Sequence, residues 1–240
     1  MKRKLTKKQW TLRRRIRRFF RVTMLLFITV ASFLIVIHWT NEWIEKRQNI
    51  IERYTDEEFV LNGVKLANDV TIEAQLLTPN EYSRPQTKID SIQGIVIHYV
   101  GNPGTTAQNN RDYFEGLSKT HATSASSHFV VGLKGEVIQC VPLNEVAYCS
   151  NQRNNDTISI EVCHPDETGK FKKSSYRSVV DLTTYLCKMF ELDVDDVIRH
   201  YDVTGKRCPL YYVDHETAWI QLKEEISKAL EKLNISNESK

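Results

Sequence analysis

The chain has 240 residues, 41% of them hydrophobic and 26% charged, which suits one ordinary folded domain with attachments and excludes disorder throughout. Its net charge of +3 is unevenly placed: residues 1–21 hold eleven Lys or Arg and no acid, leaving 22 basic against 30 acidic residues, a net of −8, for residues 22–240. An acidic body excludes nucleic-acid binding as the main activity, because that activity needs positive charge on the folded domain.

After the basic tail, Val22 to Trp39 (VTMLLFITVASFLIVIHW) contains no Asp, Glu, Lys or Arg. Eighteen helical residues rise about 27 Å, close to the thickness of a bilayer core. A cleaved signal peptide is the competing reading, but its apolar run is about 7–15 residues long and ends at a small-residue site. Here the run passes into His38, Trp39 and Trp43, aromatics suited to a membrane interface. The expectation is an uncleaved single-pass membrane anchor over 22–39, with the basic tail 1–21 in the cytoplasm and everything after it outside the cell.

Residues 40–79 mix charged residues with scattered apolar ones (Trp43, Ile44, Ile50, Ile51, Tyr54). This segment reads as a juxtamembrane stalk or linker, and its rough seven-residue recurrence leaves room for self-association through the stalk. Pro79, Ser83 and Pro85 mark a boundary, after which a compact domain is expected over 80–236, with a short tail at 237–240.

Within that domain, Ile92 to Val100 (IQGIVIHYV) is β-branched and nearly all apolar, as a buried central strand should be. Thr105 or Thr106 can cap a helix reaching about Leu117, with Tyr113, Phe114 and Leu117 on its apolar side. Phe129–Val131 and Glu136–Val141 flank Leu133-Lys134-Gly135, a hairpin signal, and Thr157–Cys163 reads as a further strand. A helix from Ser174 or Ser175 to about Glu191, a short strand Val197–His200 and a last helix His215–Leu233 complete an α/β fold, a central mixed sheet flanked by helices.

The segment from Arg199 to Pro209 (RHYDVTGKRCP) carries the strongest chemical signal. A strand end delivers His200, a Gly-containing turn reverses the chain, and Cys208 returns beside a proline. Zinc accepts imidazole and thiolate, and a catalytic site uses three protein ligands with one position open. His98 is the natural third ligand, a polar interruption of an apolar strand just before a Gly/Pro-rich loop. Each residue taken singly reads more simply as a core histidine or a disulfide cysteine.

Four motifs in order, IVIHYVGNPGTTAQNNRDYFEGL, SSHFVVGLKGEVIQCVP, NNDTISIEVCHPDETGKF and IRHYDVTGKRCP, closely resemble the zinc amidase family. That family includes phage endolysins of the phage-lysozyme type, bacterial N-acetylmuramoyl-L-alanine amidases and animal peptidoglycan-recognition proteins. The resemblance runs from about Asn80 to about Leu222 and implies that His98, His200 and Cys208 hold zinc. It also implies two catalytic residues: Glu161 as the acid/base beside the zinc water, and Lys206 as the group that stabilises the oxyanion. The implied activity is hydrolysis of the amide joining N-acetylmuramic acid to L-alanine in peptidoglycan, outside the membrane of a Gram-positive bacterium. The alternative is a membrane-tethered module that binds peptidoglycan without cutting it, and a further reading is a phage-type or mobile-element enzyme that opens the wall locally.

The sequence departs from the family in two places. Ser127 precedes His128-Phe129 where several members carry a catalytic tyrosine, and Cys149 follows Ala147-Tyr148 where a histidine is common. His121, His128, His164 and His215 read as structural residues. Cys140, Cys149, Cys163 and Cys187 could form two disulfides in an exterior compartment or remain thiols.

Overall fold

In a computed structural model, residues 7–238 are described, and the chain divides into two compact units, Met1–Lys46 and Arg47–Lys240. Helix α1 (Lys7–Glu52) supplies the first unit. Within residues 14–42 of it an 18-residue window reaches a mean hydropathy of 2.4, and the helix is long and apolar enough there to cross a membrane. Its hydroxyl groups are satisfied within the helix: Thr23 donates to the Phe19 and Phe20 carbonyls, Thr29 to Leu26 and Ser32 to Ile28. Such back-bonding is what a helix surrounded by hydrocarbon requires of its polar side chains. Lys2, Arg3 and Lys4 of the tail lie outside the described residues, as do the side chains of Trp43 and Ile44.

The second unit is built on six strands: β1 (Ile72–Ala74), β2 (Gly94–Tyr99), β3 (Phe129–Val131), β4 (Val137–Gln139), β5 (Thr157–Val162) and β6 (Val197–Arg199). They form one mixed sheet in the order β1-β4-β3-β5-β2-β6, in which only the β3–β4 pair is antiparallel. The central strands β5 and β2 are buried on both faces, which explains their nearly continuous apolar character.

Alternation along the strands sorts side chains into two layers. Ile95, Ile97, Phe129, Val131, Ile158, Ile160 and Val162 point into the larger cluster, with residues of helices α3 (Lys173–Met189) and α6 (Glu216–Glu238). Val130, Ile138 and Cys140 face the other way, with Ala107 and Phe114 of helix α2 (Ala107–Thr120). Helix α2 starts on a capping box, in which Thr106 accepts from the Asn109 amide, and it ends on His121 in the left-handed region. It packs over β3 and β4. Tyr113, expected on the apolar side, is instead exposed, because it lies at the edge of the narrow face that Phe114 and Leu117 present to the sheet.

The expected stalk over 40–79 is shorter than the sequence suggests. Ile50, Phe59, Leu61, Leu66, Ile72 and Leu77 are buried in the second unit, and β1 pairs in parallel with β4. The Tyr54 hydroxyl donates to the Met189 carbonyl, and Arg53 pairs with Glu191 at 2.7 Å. Ile50, Ile51 and Tyr54, the apolar positions behind the idea of self-association, thus spend their surface within their own chain. The remaining helices are short, α4 (His200–Thr204) and α5 (Leu210–Asp214), and no disulfide joins any of the five cysteines.

Candidate active site

The strand registers assemble the site. In the parallel β2–β5 pair His98 stands opposite Glu161, and both lie on the face opposite Ile97 and Ile160. On the other side of β2, Ile97 is registered with Arg199, so the next residue along, His200, emerges beside His98 as α4 begins. Glu161, His98 and His200 therefore form a row across three adjacent parallel strands, at the carboxyl ends where open α/β sheets place their ligands.

Cys208 joins this row by a tight reversal. Gly205 closes α4 at φ 77°, a conformation that suits glycine, and its amide donates to the Tyr201 carbonyl. The Tyr201 amide then donates to the Cys208 carbonyl at 2.9 Å, which fixes the returning segment against the helix. Cys208 Sγ lies 3.8 Å from His98 Nδ1. The ligand atoms of His98, His200 and Cys208 all fall within 4.8 Å of one another, and all three residues are buried.

Burial, with help from His200 and Lys206, holds the His98 imidazole well below its usual pKa, and burial followed by Lys206 lowers that of His200. Both are thus neutral, the form in which imidazole binds a metal. Burial pushes the Cys208 thiol up to about 12 and the Glu161 carboxyl up to about 8, the latter opposed by the Cys149 thiol and by Lys206. Glu161 Oε1 accepts from Cys149 Sγ at 3.5 Å, whereas Oε2 is buried without a partner. A buried carboxylate oxygen left unpaired is costly in a merely structural setting.

This donor set fits zinc. Zn–N near 2.0–2.1 Å and Zn–S near 2.3 Å give an N···S edge of about 3.6 Å in a tetrahedron, close to the 3.8 Å separating Cys208 Sγ from His98 Nδ1. A cation among these groups would draw Cys208 to its thiolate and Glu161 to its carboxylate.

The site opens into a cleft of about 410 Å³ lined by His98, Glu161, His200, Lys206 and Cys208 among others. A neighbouring cavity of about 440 Å³ shares Glu161 and Lys206 with it and continues along α2 past Asn102, Asn109 and Tyr113. The family described as N-acetylmuramoyl-L-alanine amidase (Amidase_2) matches residues 88–210, slightly more than half of the chain. The chain belongs to that family.

Among curated relatives, it is 31% identical over 180 residues to N-acetylmuramoyl-L-alanine amidase CwlL of Bacillus licheniformis, covering 70% of this chain and 49% of that protein. It is 32% identical over 181 residues to N-acetylmuramoyl-L-alanine amidase BlyA of Bacillus subtilis strain 168, covering 67% of this chain and 48% of that protein. The chain thus spans about half the length of these curated relatives. Of solved structures, the catalytic domain of XlyA superposes with a TM-score of 0.56 at 24% identity over 65% of this chain and 99% of that one. The PlyG catalytic domain gives 0.57 at 23% identity, over 67% and 96%. Both likenesses establish the amidase fold for the second unit.

All five expected site residues reach one cleft. Of the two departures, Ser127 is fully buried, and its hydroxyl bonds to the main-chain carbonyls of Phe129 and Ser159, each at 3.0 Å. Ser127 does not line the cleft. Cys149 does line the cleft, and its sulfur, a His98 nitrogen and a Glu161 oxygen lie within 4.8 Å of one another. His128 is structural: the Ser159 amide donates to its Nδ1, and its Nε2 donates to the Glu145 carbonyl. Missed in the sequence were Ser150 and Asn151, which touch the two candidate ligand imidazoles at 3.1 and 2.8 Å. Their Asn-rich loop reads as an ordinary connection until the imidazoles are placed.

Proposed function

We propose that this chain is a zinc-dependent hydrolase that cleaves the amide between N-acetylmuramic acid and L-alanine in peptidoglycan. The observation that carries the reading is the row Glu161–His98–His200 closed by Cys208, with Glu161, whose Oε2 is buried and unpaired, and Lys206 both lining the same cleft.

His98, His200 and Cys208 would hold the zinc, which when bound supplies Lewis acidity that polarises the scissile carbonyl and lowers the pKa of water at the site. Glu161 Oε2 accepts a proton from the attacking water as the new C–O bond forms. Lys206 donates to the carbonyl oxygen as negative charge collects there. Glu161 then returns the proton to the amine nitrogen as the C–N bond breaks, which leaves the carboxylate ready for another turn. A module that only bound peptidoglycan would have no use for an unsatisfied acid beside this donor set.

The proposed setting is a single-pass anchor over residues 22–39, with the basic tail in the cytoplasm and the catalytic unit facing the wall. The apolar stretch of α1 and the eleven basic residues preceding Val22 support it. Protease added to intact cells should remove the catalytic unit and spare the tail; protection of both would overturn this orientation.

The test of the activity uses the full chain purified in detergent. We expect about one zinc per chain and release of peptides with free N-terminal L-alanine from purified walls, read by mass spectrometry. Bound walls left uncut by a zinc-loaded protein would favour the binding module, and a chain that takes up no zinc would overturn the metal assignment.

A further inference from the structure

One short loop connects both candidate ligand imidazoles. Ser150 Oγ lies 3.1 Å from His98 Nε2, Asn151 Oδ1 lies 2.8 Å from His200 Nε2, and Gln152 Nε2 donates to the Val203 carbonyl at 2.8 Å. The loop is itself braced, because Asn154 Oδ1 accepts from the amides of Ser150 at 2.6 Å and Cys149 at 3.1 Å. Asn151 stands at φ 52°, in the left-handed region that asparagine tolerates better than most residues.

The chemistry of the two contacts differs. A serine hydroxyl both donates and accepts, so Ser150 is compatible with either tautomer of His98. An amide oxygen only accepts, so Asn151 requires the His200 proton to sit on Nε2 and leaves the lone pair on Nδ1. Cys208 Sγ faces His98 through Nδ1 as well, so the two rings would offer the same nitrogen to the cleft. Asn151 is exposed, and loss of its side chain would empty no space in the core.

We infer that Asn151 is a positioning residue for the metal centre: its amide oxygen holds the His200 proton on Nε2 and so presents Nδ1 as the metal donor. The inference rests on the zinc reading above and adds to it a residue that neither touches the metal nor the substrate. Outer partners that orient ligand imidazoles in this way carry a large share of metal affinity.

The experiment compares the full chain with its Asn151→Gly and Asn151→Asp variants. Glycine keeps the left-handed backbone and removes the acceptor, whereas aspartate keeps an acceptor oxygen in place. Zinc affinity is read by competition with a chromophoric chelator, and the His200 tautomer by long-range ¹H–¹⁵N NMR of the metal-free protein. The expected result is zinc binding weaker by about 10–100-fold in Asn151→Gly, close to the parent in Asn151→Asp, with the His200 proton on Nε2 in the parent and mixed in the glycine variant. Parent-like zinc affinity in Asn151→Gly would overturn the inference, as would equal losses in both variants or a parent His200 protonated on Nδ1. A parent chain that bound no zinc would instead overturn the zinc reading, so the two failures are distinguishable, and the aspartate variant and the parent tautomer decide the matter if the glycine variant does not fold.

Discussion

Two buried histidine settings, one just before β3 and one at the ends of β2 and β6, differ in what they leave over. Around His128 every ring nitrogen has a protein partner, with the Ser159 amide and hydroxyl on one side and the Glu145 carbonyl on the other. Around His98 and His200 each ring spends Nε2 on the Ser150–Asn151 loop, Cys208 Sγ stands 3.8 Å from His98 Nδ1, and Glu161, which lines the same cleft, keeps a buried Oε2 without a partner. Polar groups that satisfy one another hold a fold together; polar groups left over in a buried row mark a place for something else to bind. The same residue type is thus fully satisfied just before β3 and left with a nitrogen to spare two strands away.

Perturbing the left-over set should cost function and little stability, and perturbing the satisfied one should do the reverse. Cys208→Ser should have the largest effect: zinc content near zero by metal analysis and no release of L-alanine peptides, with the far-UV CD spectrum retained. Glu161→Gln should keep about one zinc per chain and lower kcat by roughly 10²–10⁴-fold; full activity in this variant would remove Glu161 from the mechanism. Lys206→Met should keep the metal and lower kcat by roughly 10²–10³-fold, the usual cost of one oxyanion donor.

The smallest effect belongs to His128 and appears in stability. Burial lowers its pKa from 6.5 to about 4, so the unfolded chain takes up its proton first as the pH falls. The contribution of this group is complete above about pH 6.5, declines as pH drops toward 4, and is then gone, a loss of about 3 kcal/mol. Urea unfolding of the full chain at pH 7 and pH 4.5 should show this decline, and His128→Asn should flatten it. A variant with an unchanged slope would place the acid sensitivity elsewhere.

Much of this was legible in the chain. The β-branched runs of β2 and β5, the hairpin around Gly135, the capped start of α2 and the RHYDVTGKRCP turn all rest on interactions within a few residues, so local pattern suffices to find them. The 50–79 segment was misread for the opposite reason. Beyond Tyr54 its apolar residues are spaced without a helical or strand period, and β1 has only three residues, so nothing local announces that Ile72 will pair with Val137. Tyr113 shows the same limit on a smaller scale, since whether it is covered depends on how far α2 extends over the sheet.

By itself the sequence determined the charge-free span, the acidic body and the strand and helix pattern, and through its resemblance to the zinc amidases it nominated five residues for a metal site. Only the tertiary structure decided that they meet: the registers His98 against Glu161 and Ile97 against Arg199 align residues from three separate parts of the chain. It also decided which nitrogen of each imidazole is spent, through a loop whose asparagines look like turn formers until their partners are in place. Register and partner choice are fixed by long-range packing of both sheet faces, and a one-residue slip of β2 would have turned His98 into the apolar core.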